Sequence, residues 1–116
     1  MTKNYYLDNK RFEELIKLYQ SNPEIYGEEL TQNFSILIEN ILHSFNFKLE
    51  EDDAKQECFL LIFKILKNFK PIQGTAFNYF TTIILNNLKL IYSKNKRYDE
   101  KIFKFKNKLN NNNDQD

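Results

Sequence analysis

The sequence predicts an all-α fold, a small bundle of four main helices, on three observations. Only two glycines and two prolines occur in 116 residues, too few turn-formers for a sandwich or a barrel. Apolar side chains recur at i, i+3, i+4 and i+7 in four separate segments, the period of a helix with one buried face. The length and an apolar content of 41% fit one core and one domain.

Residues 1–7 carry no periodic signal and are read as loose. Phe12, Leu15, Ile16 and Tyr19 then define one helical face, with Asp8 or Asn9 available as N-cap, and Ser21-Asn22-Pro23 ends that helix. A second helix starts between Pro23 and Glu28 and runs to about Phe45. Its inner stripe is Leu30, Phe34, Leu37, Ile41, Leu42 and Phe45, with Gln32, Asn33, Glu39 and Asn40 outside. His43 lies beside that stripe near the helix end, and no base or nucleophile is patterned with it.

Glu50-Glu51-Asp52-Asp53 opens the third helix, where carboxylates complement the positive end of the helix dipole. It continues to about Lys67 and buries Ala54, Cys58, Leu61, Ile62, Ile65 and Leu66. Phe59 and Phe63 fall on another face, so this helix calls for a second contact surface. Residues 67–74 form a connector whose turn is marked by Pro71 and Gly74. From Thr75, a candidate N-cap, a fourth helix runs to Tyr92 or beyond Lys96. One line of it, Phe77, Thr81, Ile84, Leu85, Leu88 and Tyr92, can face the core. A second line, Phe80, Ile83, Asn87, Leu90 and Lys94, lies outside it. These elements place the helical domain at 8–98, followed over 99–116 by a basic and then Asn-rich tail, its end expected to be disordered.

Several classes are excluded. One cysteine forbids an internal disulfide, and with one histidine there is no Cys/His cluster for a structural zinc. There is no Gly-rich phosphate loop, no isolated carboxylate pair, and no serine or cysteine with a patterned base, so no enzyme, metal or cofactor is expected. The longest apolar run, Cys58 to Phe63, is far below the ~18 residues of a membrane span, and no signal-peptide core opens the chain. A soluble, cytoplasmic protein follows, and the Asn33-Phe34-Ser35 sequon is read as accidental.

The net charge of +1 conceals a division. Residues 1–58 hold six Lys/Arg and twelve Asp/Glu, a net −6, whereas 59–116 hold eleven and four, a net +7. Lys89, Lys94, Lys96, Arg97, Lys101, Lys104, Lys106 and Lys108 cluster against Asp99 and Glu100 alone. Such a cluster attracts phosphate backbones or other anionic surfaces. Apolar groups on an outer helical line, followed by cations, suit single-stranded nucleic acid, where bases stack and cations hold phosphates.

The segment Asp53-Ala54-Lys55-Gln56-Glu57, then Phe69-Lys70-Pro71-Ile72-Gln73-Gly74-Thr75-Ala76-Phe77-Asn78-Tyr79-Phe80-Thr81-Thr82, resembles conserved region two of bacterial RNA polymerase sigma factors. That family has a D-x-x-Q-E helix, K-F-x-P-x-x-G, and F-S-x-Y-x-T entering a DNA-contacting helix. The match covers about residues 47–98, with Phe80 replacing the usual tyrosine. The resemblance implies an orthogonal, sigma-region-two-like bundle. It implies that Asp53, Gln56, Glu57 and Phe63 bind core RNA polymerase, at a coiled coil of its largest subunit. It further implies recognition and melting of an A/T-rich minus-ten promoter element as single-stranded DNA. Phe80 would be the platform for a flipped base and Ile83 the wedge, with Asn87 and Leu90 toward the upstream duplex and Lys89, Lys94, Lys96 and Arg97 on phosphates.

The family's paired tryptophans at the melting fork are Ile83 and Ile84 here, so stacking is lost and wedging remains, and a coactivator is a possible further partner. No helix-turn-helix follows residue 98. Short chains of this kind resemble the late-transcription sigma factors of large phages. Two other readings stay open: a general nucleic-acid-binding helical module, and an adaptor that binds polymerase without touching DNA.

Overall fold

The structure is a computed structural model and describes residues 7–70, 72 and 75–113, the last four as backbone. Four helices follow in order, α1 (Asn9–Ser21), α2 (Pro23–Ser44), α3 (Glu51–Leu66) and α4 (Ala76–Asn113), and no strand occurs among the described residues. The predicted all-α, four-helix class is therefore observed.

The helix ends are set by short-range chemistry. The Asp8 carboxylate accepts from the N–H groups of Lys10 and Arg11 at 3.0 and 3.3 Å, satisfying donors that the first turn of α1 leaves free. Asn22 closes α1 through its N–H to the Leu18 carbonyl at 2.8 Å and caps α2 by accepting from Ile25 N–H at 3.4 Å. Pro23 sits in the first turn of α2, where its missing donor costs nothing. Glu50 accepts from Asp52 and Asp53 N–H at 3.3 and 2.6 Å, while Glu51, Asp52 and Asp53 fill the first turn of α3.

Three phenylalanines from three helices form the centre of the core. Phe12 and Phe34 meet edge to face at 5.1 Å, Phe34 and Phe80 at 5.1 Å, and Phe12 and Phe80 at 6.2 Å, the geometry that the ring quadrupole favours. Leu15, Ile16, Leu30, Ile38, Ile62, Leu66, Ile84 and Leu88 close around them, all 0–1% exposed. Polar clamps fasten the outside. The Arg11 guanidinium donates to both oxygens of Glu29 at 3.0 and 3.2 Å, joining α1 to α2. Lys55 of α3 pairs with Glu39 of α2, and Gln20 of α1 donates to the carbonyls of Leu66, the last residue of α3, and Phe69 beyond it.

Several expectations are corrected. The buried line of α4 is Ala76, Phe80, Ile84 and Leu88. Phe80, expected on the outer line, is 0% exposed, while Phe77, Thr81 and Leu85 are only half-buried. Tyr92, expected in the core, is 41% exposed and rests its ring on Phe47. Phe45 is 55% exposed, because α2 has ended at Ser44 and the chain turns through Asn46 at φ 53°. Ile38, not assigned to the stripe of α2, is buried. α4 runs unbroken past residue 98 to Asn113, so residues 109–113, expected to begin a disordered end, are helical, and 114–116 lie outside the described residues. The turn assigned to Pro71 and Gly74 and the loose segment 1–6 lie outside the described residues; Leu7 packs on the core.

The ring cluster makes Phe80 a stability residue. Phe80→Ala is expected to lower the unfolding free energy by about 3–5 kcal/mol through lost burial and a residual cavity. Leu90→Ala, on the same helix but half-exposed, should change it by no more than about 0.5 kcal/mol. Urea unfolding followed by circular dichroism measures both.

Candidate functional site

The structure presents two surfaces. The first is on α3. Asp52, Gln56, Phe59, Leu60, Phe63, Lys64 and Lys67, together with Lys55, all on α3 or at its end, line a shallow, open groove of about 600 Å³. Residues 52, 56, 59, 60, 63 and 67 recur at helical spacing, so the groove follows one side of the helix. Its floor is apolar: Leu60 is 67% exposed, and the Phe59 and Phe63 rings lie 6.2 Å apart. Phe63 is wedged from behind by Tyr19 at 5.8 Å and Phe34 at 6.3 Å, so the core holds one wall of the groove rigid.

Of the expected polymerase-binding residues, Gln56 and Phe63 come together in this groove, and Asp53 and Glu57 are exposed on the same helix. Asp53 and Glu57 stand one position round from Asp52 and Gln56, placing carboxylates beside the apolar floor near the N-terminal end. Lys64 and Lys67 lie toward the other end, so the groove carries a charge gradient along its length. Lys55 is held above the usual lysine value: burial opposes its charge, but the hydrogen bond and charge of Glu39, aided by Glu51, outweigh it. Because the raised value belongs to the folded state, the pair's contribution is complete at neutral pH and is lost only as pH rises past the ordinary lysine range. This pair holds α3 against α2 behind the groove.

Leu60 escaped the sequence reading. Its signal was the unbroken apolar run Cys58 to Phe63: a helix with one buried face cannot bury six successive residues, and position 60 is the one turned fully outward.

The second surface is on α4. Lys89, Lys94, Lys96 and Arg97 are all exposed, but they do not form a single patch. Lys94 and Arg97 continue the line of Ile83 and Leu90, at successive spacings of seven, four and three residues, whereas Lys89 and Lys96 lie on the opposite side of the helix. Ile83 is half-buried and Leu90 is 49% exposed, giving that line an apolar beginning and a cationic end. Ile84, the other residue at the melting-fork positions of the resemblance, is 1% exposed and belongs to the core.

Two of the expected DNA-facing residues are turned inward. Phe80 lies among Phe12, Phe34, Phe69 and Tyr79, so its faces are occupied by protein rings. Asn87 donates its amide to the Cys58 sulfur at 3.6 Å, linking α4 to α3. Burial pushes the Cys58 thiol up, against the opposing pull of the Asn87 hydrogen bond, which keeps it in the unreactive protonated form. The sequence leaves both outside because a spacing of 3, 4, 3 and 4 admits either of two neighbouring lines of α4 as the buried one.

No protein-family model, curated protein or solved structure matches the chain. No helix among the described residues is long and apolar enough to cross a membrane.

The α4 geometry gives a quantitative expectation. Replacing Lys94, Lys96 and Arg97 by Gln should reduce the magnitude of the slope of log affinity against log salt for duplex DNA by about 2–3, one cation per phosphate. Asn87→Ala should leave that slope unchanged. Fluorescence anisotropy across a salt series reads both.

Proposed function

We propose that the chain is a sigma-like transcription initiation factor that docks on core RNA polymerase through the α3 groove and sets the cationic faces of α4 against promoter DNA. The observation that carries the reading is the groove itself. It places Gln56 and Phe63 along one shallow, open apolar surface of α3 with Leu60 exposed between them and Asp53 and Glu57 at its side. An apolar surface with carboxylates at one end and lysines at the other fits an amphipathic helical partner, which is what the resemblance implies in the coiled coil of the polymerase's largest subunit. The reading carries with it the orthogonal, sigma-region-two-like arrangement of the four helices.

On the DNA side the proposal is narrower than the resemblance. Phe80 has no free face, so capture of a flipped base is not assigned to it. Ile83 remains as an apolar edge above Leu90, Lys94 and Arg97, and opening of an A/T-rich minus-ten element then depends on a coactivator or on DNA supercoiling. The inward Phe80 and Asn87 favour one second reading, an adaptor that occupies the polymerase without contacting DNA.

The test is a pull-down of core RNA polymerase. Asp53→Lys and Leu60→Asp should each weaken capture by about 2–5 kcal/mol while the helical circular dichroism signal is kept, because each places a wrong charge in a desolvated contact. Folded variants that bind like the parent chain would dismiss the α3 surface. If both weaken binding but the Gln variant of Lys94, Lys96 and Arg97 transcribes as the parent does, the adaptor reading replaces the promoter-binding one.

A further inference from the structure

The core-facing line of α4 does not end where the bundle ends. Ile84 and Leu88 are buried and Ile91 packs on the core. The same line continues through Asn95, Tyr98, Ile102, Phe105 and Leu109, at alternating spacings of three and four residues. That is a heptad repeat. Among the described residues nothing covers its outer part: Tyr98 is 65% exposed, Ile102 37%, Phe105 60% and Leu109 47%. From Ile91 to Leu109 the seam is about 27 Å long at 1.5 Å per residue.

We propose that this extension of α4 is one half of a coiled coil whose other half is an acidic amphipathic helix of a different protein. Three observations choose that occupant. The positions flanking the seam carry Lys94, Lys101 and Lys108 on one side and Asp99 and Lys106 on the other, four lysines to one acid, so a partner with Glu or Asp at its own flanks is attracted along the whole length. A second copy meets the opposite situation, because in a parallel pair Lys101 faces Lys106 and each strand has seven cations against two acids between residues 94 and 109. The seam also contains Asn95 at a core position, the device by which coiled coils fix register, and Tyr92 and Phe103, 41% and 65% exposed, border it on one side. A helix lying on a lipid surface needs an unbroken apolar face, and Asn95 and Asp99 interrupt this one.

The inference does not rest on the polymerase reading, since it uses none of the α3 residues. It is compatible with phosphate contact, because Lys96 and Arg97 point away from the seam on the far side of the helix.

The probe is a synthetic peptide of about three heptads with Leu at its seam positions, Asn opposite Asn95 and Glu at the flanks, compared with the same peptide carrying Lys at the flanks. The full chain should bind the Glu peptide, more weakly as salt rises, and ignore the Lys peptide. The double variant Ile102→Ser/Phe105→Ser, both sites exposed, should keep the helical signal and lose affinity by about tenfold or more. Lys101→Glu with Lys108→Glu should shift preference toward the Lys peptide. Failure of the folded chain to bind the Glu peptide, or binding that survives the double variant, overturns the proposal. So does a dimer in sedimentation equilibrium that the double variant abolishes. Loss of binding to duplex DNA or to phosphatidylserine vesicles in the double variant, with no Glu-peptide binding, would overturn it in favour of those surfaces.

Discussion

The structure turns on the meeting of Phe12, Phe34 and Phe80. Each ring comes from a different helix, and each presents an edge to the face of another at 5.1–6.2 Å. A helix can rotate about its axis at small cost in backbone energy, but a bulky ring seated in such a cluster fixes the rotation, because the interior is close-packed and any other angle leaves a void. Seating Phe80 decides which side of α4 faces the bundle. Asn87 is then carried onto Cys58, Ile84 and Leu88 are buried, and Leu90, Lys94 and Arg97 are turned to solvent. Phe34 also touches Phe63, so the same cluster braces the wall of the α3 groove.

Both surfaces are therefore consequences of one packing decision, and they differ in electrostatic character. The groove begins among the carboxylates that cap α3 and ends among lysines, whereas the exposed part of α4 is cationic on both sides. A chain divided into −6 and +7 halves has a strong dipole and can meet partners of opposite sign at its two ends. The proposed polymerase contact and the proposed acidic helix make separate use of that division.

Much of this was legible in the sequence. Four helices, their order and most of their limits follow from apolar period and caps: Asp8, Asn22 with Pro23, and the acidic opening of α3 all do what their side chains predict. The need for a second contact face on α3 was also readable, from Phe59 and Phe63. The facing of α4 was not. Phe77 and Phe80 begin two neighbouring lines of comparable apolarity, and only the space between Phe12 and Phe34, which belongs to other helices, selects Phe80. The extent of α4 was hidden for a different reason. Asn-rich composition reads as disorder, while the heptad through Tyr98, Ile102, Phe105 and Leu109 keeps the period of a helix beneath it.

The central claim is that the phenylalanine cluster locks the first half of α4 into the bundle and leaves its second half, among the described residues, without packing against the bundle. Amide hydrogen exchange of the full chain, resolved by peptide, measures this directly. Amides of 80–91 should exchange only on global unfolding, in step with those of α2, while amides of 98–109 should exchange far faster, with an opening energy well below the global value. Equal protection along α4, or fast exchange beginning at Phe80, would contradict the account.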